Sequence, residues 1–149
     1  METKLPPILV VDANILFSFF NEKSTRRRLI KKLPKMGCKL ITPDFALEEL
    51  MEDKERIKDF ARIDEVGFMF LFSLLERKIM EIYPKDKYED TLSEAGNISP
   101  HGKAVHKDDP YFALALSFNA PIWSDEKSFK KQSKVKIFST SDFISFVYP

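Results

Sequence analysis

Acidic side chains recur at four places in this sequence, each beside the end of a predicted strand or the start of a predicted helix. They are Asp12; Glu48 and Glu49; Asp108 and Asp109; and Asp125 and Glu126. Asp12 directly follows the apolar run 8–11, which is typical of a strand buried on both faces. In open α/β sheets, ligands bind at the carboxyl ends of the strands. We therefore expect these carboxylates to reach one edge of a sheet.

Carboxylates gathered in this way would repel one another. A like-charge pair near 4 Å costs about 4 kcal/mol at an effective dielectric constant of about 20, and a whole domain is stable by only about 5–15 kcal/mol. The acids must therefore either lie apart or have cations among them. Oxygen ligands without a Cys or His pattern favour Mg²⁺ or Mn²⁺, ions that activate water and stabilise charge on a phosphodiester. The pattern predicts metal-dependent phosphate chemistry.

The elements that must position these acids alternate between strands and helices. Apolar runs predict strands at 8–11, 38–42, 78–83, 122–123 and 135–139, and capping residues predict helices at 15–20, 25–33, 43–77, 110–118 and 140–147. Asn14 is the expected cap of the first helix and Thr42 the cap of the third. The polar segment 85–107 predicts a loop or lid. This alternation predicts an α/β fold of three layers, α/β/α, around a central, mostly parallel sheet of four or five strands.

The composition is that of one globular domain. The chain has 149 residues, 44% of them hydrophobic, and no linker divides it, so we expect a single domain over residues 1–149. A formal charge of +1 means that any nucleic-acid contact must be local. The lone Cys38 excludes an internal disulfide and a zinc site of thiolates. The start lacks a secretory pattern and the longest apolar stretch, 66–75, is too short for a membrane span, so we expect a soluble cytoplasmic protein without a membrane partner.

Four motifs carry a resemblance to a known family. VVDAN, TPDFALEEL, KDDPYFALAL and APIWSDEKSF resemble, in order and rough spacing, the four acidic motifs of PIN-domain ribonucleases, which include the toxins of many prokaryotic toxin–antitoxin pairs. The resemblance spans nearly the whole chain. It implies a PIN-like fold and an endoribonuclease whose carboxylates hold one or two Mg²⁺ or Mn²⁺ ions. It also implies RNA as substrate, a homodimer, and an antitoxin protein as partner if the chain is a toxin.

The first two motifs transfer by position. Asp12 is similar to the family's first acid, and Asn14 to the polar residue often found two places later. The second acid of the family stands immediately before an aliphatic residue, which selects Glu49, before Leu50, over Glu48. Helical geometry alone leaves both glutamates open, because each flanks the apolar face of the predicted helix.

The last two motifs leave more choice. The family's third acid precedes an alanine by four places, which selects Asp109, with Asp108 as a supporting residue that could take over a helix-capping role. In the fourth motif Glu126 stands where the family has Asp, and Asp125, one place earlier, is the alternative ligand. Ser124 is expected to support a metal-bound water by hydrogen bonding.

Simpler roles compete with several of these assignments. Asp109 could be only the N-cap of a helix that starts at Pro110, a role worth about 1 kcal/mol. The arginines 26–28 could clamp RNA phosphates or form an ordinary basic helix face; these are Arg26, Arg27 and Arg28. His101 and His106 are expected to face solvent rather than metal. The segment 68–72 is expected to pack in the core, with a dimer contact as the alternative role. Trp123 is also expected to lie in the core.

Two other functions compete with a nuclease. Haloacid-dehalogenase-like phosphatases begin with a similar strand and a nucleophilic Asp, but they place a second Asp where this chain has Asn14. A binding or scaffold module that has lost turnover is the non-enzymatic alternative, suggested by the altered fourth motif. Metal titration would separate the two PIN-like cases, because an active site should bind Mn²⁺ and cleave RNA.

Overall fold

A sheet of five parallel strands forms the centre of the computed structural model, which describes residues 4–100 and 107–149. The strands are β1 (Ile8–Val11), β2 (Lys39–Pro43), β3 (Glu81–Tyr83), β4 (Ile122–Trp123) and β5 (Ile137–Phe138). Their order across the sheet is β3-β2-β1-β4-β5, and every neighbouring pair is parallel. Val10 of β1 aligns with Ile41 of β2 and Ile122 of β4. The predicted α/β fold with a parallel five-stranded sheet is confirmed.

Helices flank this sheet in the described part of the chain. They are α1 (Ala13–Phe17), α2 (Thr25–Lys32), α3 (Asp44–Glu52), α4 (Lys54–Ala61), α5 (Glu65–Leu74), α6 (Leu92–Ile98), α7 (Asp109–Phe118) and α8 (Thr140–Val147). Short 3-10 turns extend several of them, and a π-helical turn at Leu75–Ile79 follows α5. The Ser24 hydroxyl caps α2 by accepting a hydrogen bond from the Arg27 amide.

Two predicted helix starts were wrong by one or two residues. The first helix begins at Ala13 with Asp12 at its cap position, so Asn14 lies inside the helix rather than at its cap. Pro43, the last residue of β2, precedes α3, and the Thr42 hydroxyl instead donates to the carbonyl oxygen of Val11 at 2.8 Å. Thr42 is fully buried, and this bond to β1 satisfies its hydroxyl there.

The long predicted helix at 43–77 and the predicted loop at 85–107 also differ from the structure. Arg62 adopts a left-handed conformation with φ 57°, which ends α4, and Asp64 then caps α5 by accepting from the Gly67 amide at 2.8 Å. The segment predicted as a loop contains α6 and two short 3-10 turns, because Tyr88 and Ala95 are buried and hold it against the core. Residues 101–106 lie outside the described part.

The core consists of aromatic and aliphatic side chains on both sides of β1 and β4. Trp123 is fully buried, as predicted, and its indole Nε1 donates to the Thr140 hydroxyl at 3.1 Å. Phe68 stacks on Phe20 with ring centroids 4.9 Å apart, while Phe72 is also buried, so these residues of α5 are core. The other face of α5 is exposed at Val66, Met69 and Phe70. β1 is therefore held between packed layers, and the residue that follows it has a fixed position.

Candidate active site

Asp12 is the central carboxylate at the carboxyl edge of the sheet. It is only 4% exposed, and its Oδ2 accepts a hydrogen bond from the Ser124 hydroxyl at 2.9 Å. Its backbone amide donates to the carbonyl oxygen of Trp123 at 3.1 Å. The parallel pairing of β1 with β4 brings these residues together, because both strands end at the same edge. The location predicted for Asp12 is therefore the one observed.

Four other carboxyl groups act on Asp12 or on one another at this edge. The pKa of Asp12 is raised to about 7, mainly by burial and in smaller part by the charges of Asp108 and Glu49, against hydrogen bonds from Ser124 and from the backbone of Asn14. Burial also raises the pKa of Asp108 to about 6, with Glu126 and Asp109 as further causes. The pKa of Glu49 is raised mainly by burial, against a hydrogen bond from Tyr111 and the charge of Lys107, and Asp108 adds a smaller contribution that raises it. These groups therefore form a coupled acidic cluster.

The structure separates the two glutamates of α3. Glu49 belongs to the acidic cluster of Asp12, Glu49, Asp108 and Glu126, and its Oε1 accepts a short hydrogen bond from the buried Tyr111 hydroxyl. Glu48 is exposed and faces a different depression, beside Tyr88 and Asp109. Geometry therefore favours the same glutamate that the family resemblance selects.

Glu126 and Asp125 are also separated, although they are adjacent in sequence. Oε1 of Glu126 accepts from the side-chain amide of Asn14 at 3.3 Å, and the Glu126 backbone amide donates to the Ser124 hydroxyl oxygen at 3.1 Å. Glu126 also contributes to the raised pKa of Asp108. Asn14 and Ser124 thus both support the acidic cluster, and of the two candidate fourth acids Glu126 is the one that lies against it.

Asp125 instead joins distant parts of the chain. Its Oδ2 accepts from Nη2 and Nε of Arg26 at 2.5 and 3.0 Å and from the Thr140 hydroxyl at 2.6 Å, and its Oδ1 accepts from the Thr140 amide at 2.7 Å. Burial opposes ionisation, but these hydrogen bonds hold the pKa of Asp125 below its usual range. With four donors already engaged, Asp125 has a structural role between α2 and α8 that does not suit a ligand.

The third acid is where the structure differs most from the position that the resemblance selects. Asp109 is 7% exposed and accepts a short hydrogen bond from the buried Ser99 hydroxyl, and it lines the depression that contains Glu48. Asp108, half-buried, is the residue whose charge acts on Asp12 and Glu49. Asp109 starts α7 but does not cap it, since Asp108 occupies the cap position without a capping side-chain bond. Electrostatics therefore favours Asp108 as the third member of the cluster, with Asp109 acting on Asp108 from the next position.

The donor set fits a hard divalent cation. The acidic cluster presents only oxygen ligands, and burial and neighbouring carboxylates make the charged forms of Asp12, Glu49 and Asp108 costly, so a cation would relieve that cost. Within residues 4–100 and 107–149, no group of three or more Asp, Glu, His or Cys side chains has the geometry to hold a metal ion. His101 and His106 lie outside the described residues. The chemistry of the ligands fits Mg²⁺ or Mn²⁺, and the carboxylates would have to close around it.

The three predicted RNA-binding arginines have different environments. Arg26 is bound to Asp125, and its Nη1 also donates to the Ser18 hydroxyl at 2.9 Å. Arg27 lies over the ring of Phe19, 5.2 Å from its centroid, and donates to the Phe19 carbonyl oxygen. Arg28 is exposed. Arg26 and Arg27 thus make contacts within the protein, and Arg28 is the one of the three that points to solvent.

Sequence reasoning missed several residues at the site. Tyr111 holds Glu49 from the core helix α7, and a signal existed, because a tyrosine in a buried helix needs an acceptor for its hydroxyl. It also missed Phe17, Arg56 and Phe60, which line a cleft next to Asn14 and Glu126. No spacing rule joins these three residues, since they come from α1 and α4 and meet only in the folded chain.

Residues 10–140 match the family model of the PIN domain. The chain belongs to the PIN domain family. This membership confirms the resemblance drawn from the four motifs and supports a nuclease function over the phosphatase alternative. Among the described residues of this PIN domain, no helix has the length and apolar character needed to cross a membrane.

Two curated relatives share part of the PIN domain sequence. Proteins named probable translation initiation factor IF-2, from Methanosarcina mazei and Methanosarcina barkeri, are 34% and 32% identical to it over 106 residues. Each match covers 66% of this chain but only 17% of the relative's length.

Solved structures share the fold of this PIN domain. VapBC2 from Rickettsia felis, bound to a DNA fragment from their promoter, matches with a TM-score of 0.61 at 16% identity, covering 89% of this chain and 98% of that one. VapBC-1 from nontypeable Haemophilus influenzae matches with a TM-score of 0.61 at 17% identity, and the match covers 90% of this chain and 98% of that one. FitAcB from Neisseria gonorrhoeae matches with a TM-score of 0.58 at 16% identity, and the match covers 89% of this chain and 98% of that one. At this identity the likeness shows the fold alone.

Proposed function

We propose that this PIN domain is a divalent-metal-dependent endoribonuclease. The observation that carries the proposal is the buried Asp12 at the carboxyl edge of the sheet, whose pKa is raised to about 7 and which is coupled to Glu49 and Asp108. A protein does not stabilise itself by burying a carboxylate among other carboxylates, so the arrangement is one expected of a functional site.

The residues proposed to hold Mg²⁺ or Mn²⁺ are those of the acidic cluster, Asp12, Glu49, Asp108 and Glu126. When bound, the ion would activate water and stabilise negative charge on the phosphodiester. The chain's own residues orient the ligands: Ser124 fixes Oδ2 of Asp12, and Asn14 holds Oε1 of Glu126. Tyr111 holds Oε1 of Glu49 from the core side. These bonds keep three carboxylates in place without neutralising them.

Asp108 and Asp109 can be told apart by paired substitutions. We expect Asp108→Asn to lower RNA cleavage by at least about tenfold, because it removes a charge that acts on Asp12 and Glu49. Asp109→Asn should keep most of the activity, since an amide oxygen can still accept from Ser99. The measurement is the initial cleavage rate of both purified variants. A larger loss of activity in Asp109→Asn than in Asp108→Asn would assign the third acid to Asp109, the residue that the family resemblance selects.

The proposed biological setting is that of a toxin with an antitoxin partner in the cytoplasm. Similar folds were solved in VapBC and FitAcB, which supports a partner protein of the antitoxin type, and the four motifs resemble those of PIN toxins. The translation-factor names describe whole proteins of which this chain matches 17%, so the proposal does not depend on them. RNA is the proposed substrate because the family resemblance implies it.

Metal dependence tests the proposed function directly. We expect single-stranded or hairpin RNA to be cleaved in Mn²⁺ or Mg²⁺, cleavage to stop in excess EDTA, and added ion to restore it. DNA of the same sequence is the substrate control, and gel analysis of end-labelled strands is the readout. Equal cleavage in EDTA would contradict metal dependence. If no RNA is cut in either ion and neither ion shifts the melting temperature, the scaffold alternative is correct.

The exposed face of α5 is the proposed homodimer contact. Val66 is 76% exposed and Phe70 59%, and Met69 lies beside them, which is unusual for large apolar side chains on a monomer. We expect light scattering to give the mass of a dimer, and Val66→Lys combined with Phe70→Lys to give a monomer with the same fold. A monomeric wild type at all concentrations would refute the dimer.

A further inference from the structure

An open cleft containing arginine and aromatic side chains lies directly beside the acidic cluster. It has a volume of about 380 Å³, and its lining includes Asn14, Phe17, Arg26, Arg56, Phe60 and Glu126. Asn14 and Glu126 also belong to the site described above, so the cleft and the acidic cluster are continuous. A strand held in the cleft would therefore pass close to the carboxylates.

Two aromatic rings form one wall of this cleft. The rings of Phe17 and Phe60 are 5.4 Å apart between centroids, at an interplanar angle of 54°. Phe60 is 55% exposed, so most of its ring faces solvent instead of the core. The guanidinium of Arg56 lies over the ring of Phe17, 4.8 Å from the centroid, and one helical turn before Phe60 on α4. The result is an exposed Phe60 ring, packed at an angle against Phe17, with a cation beside the pair.

We propose that the exposed ring of Phe60, backed by Phe17, stacks on one unpaired nucleobase of a bound RNA strand, while Arg56 contacts an adjoining phosphate. Every base has a π-face that such a ring can cover, and arginine binds phosphate oxygens well. The cleft's continuity with the acidic cluster favours a nucleic acid over a protein segment. Arg56 is the arginine that supplies a cation here, because Arg26 is engaged by Asp125, and the solvent-exposed ion pair of Arg56 with Asp53 is weak enough to be exchanged for a phosphate. The inference rests on the proposed ribonuclease function and adds a positioning subsite to it.

Binding of a fluorescent single-stranded RNA oligonucleotide tests this subsite. The measurement is the Kd by fluorescence anisotropy in Mg²⁺, with every protein carrying Asp12→Asn so that cleavage does not interfere. Phe60→Ala should raise the Kd by about tenfold or more, within the range of about 5- to 150-fold expected for losing one stacked base. Phe60→Trp should restore binding and Phe60→Leu should not, because leucine keeps the apolar contact but lacks a π-face.

The chain offers a matched control in Tyr148. It is an exposed aromatic residue with a cation, Lys32, 4.8 Å from its ring centroid, but it does not line the cleft. Tyr148→Ala should leave the Kd unchanged. A set of oligonucleotides with one abasic position each should contain one member whose binding no longer depends on Phe60, which would identify the stacked base. A fully paired duplex should bind equally to Phe60→Ala and to its parent.

The outcomes distinguish this inference from the function on which it rests. If RNA is cleaved in Mn²⁺ but Phe60→Ala or Phe60→Leu binds the oligonucleotide as tightly as its parent, the stacking subsite is wrong and the nuclease stands. If no RNA is cleaved but binding depends on Phe60 and on one base, the nuclease proposal fails and the stacking subsite stands. Unchanged RNA binding with altered self-association in light scattering would assign Phe60 to a protein interface and overturn the inference.

Discussion

Asp12→Asn is expected to abolish RNA cleavage and, in the metal-free protein, to raise the melting temperature. Asp12 is buried, and burial and the charges of Asp108 and Glu49 raise its pKa to about 7, so its ionised form is costly. An asparagine has no charge to bury, and its amide oxygen can still accept from Ser124. Removing the charge should stabilise the free protein by a few kcal/mol, while the loss of a central ligand stops catalysis.

Four melting curves, wild type and variant with and without Mn²⁺, measure this effect. Mn²⁺ should stabilise wild type as the site fills and should stabilise the variant much less. If Asp12 merely completed hydrogen bonds at the end of β1, the variant would lose about 1–3 kcal/mol in the free protein, and Mn²⁺ would shift both proteins alike. That result would place Asp12 outside the site.

The same carboxyl group gives the sign of a pH dependence. Its pKa is about 7 in the folded protein and 3.8 as the ordinary value, so between these values the folded state binds the proton more tightly than the unfolded state. The contribution of the protonated Asp12 carboxyl group to the free energy of unfolding is complete below about pH 4 and is lost as the pH rises through about 7. Metal-free wild type should therefore lose stability over this interval, and Asp12→Asn should lose less of it. Chemical denaturation at pH 5 and pH 8 is the measurement.

Glu49→Gln is expected to lower the cleavage rate by about a hundredfold or more, while Glu48→Gln should keep most of it. Glu49 is half-buried, is held by the Tyr111 hydroxyl, and acts on Asp12, whereas its neighbour Glu48 is exposed beside Tyr88. The two substitutions change the same chemical group one residue apart, so Glu48→Gln is a matched control for helix propensity and net charge. Rates from initial time points at saturating Mn²⁺ provide the comparison.

Two results would contradict this assignment. Equal losses in the two glutamate variants would show that both carboxylates take part. A loss only in Glu48→Gln would move the second ligand to the depression that also contains Asp109. In that case the third ligand should also be Asp109 and not Asp108, because Asp109 lines that depression together with Glu48.

Much of the fold and part of the site could be predicted from the sequence. The run 8–11 is apolar on both faces and Asp12 ends it, so the strand and the position of its acid follow from one pattern. The parallel direction of the strands also follows from their alternation with helices, so that their carboxyl ends share one edge; that β4 is the neighbour of β1 is seen in the structure. Asp12, Ser124 and Glu126 therefore meet at the edge that the sequence indicated.

What the sequence could not decide depends on which way a side chain points. Asp108 and Asp109 are the same residue type one position apart, but Asp109 accepts a hydrogen bond from the buried Ser99, whereas the charge of Asp108 acts on Asp12 and Glu49. Asp125 and Glu126 differ in the same way, because Arg26 and the start of α8 engage Asp125. The partners lie outside the local motif: Ser99 is 10 residues from Asp109, and Arg26 is 99 residues from Asp125. Local propensity carries no information about such contacts.

The position of β1 in the middle of the sheet has a consequence for how the protein is made. One of the two neighbours of β1 in the sheet is β4, which is synthesised much later. Ser124, which donates a hydrogen bond to Asp12, lies 112 residues after Asp12 in the sequence. A growing chain on the ribosome therefore carries Asp12 and Glu49 long before the groups that complete their surroundings have been synthesised. For the proposed ribonuclease, the acidic site would therefore be incomplete in the nascent chain until β4 and Ser124 have been synthesised.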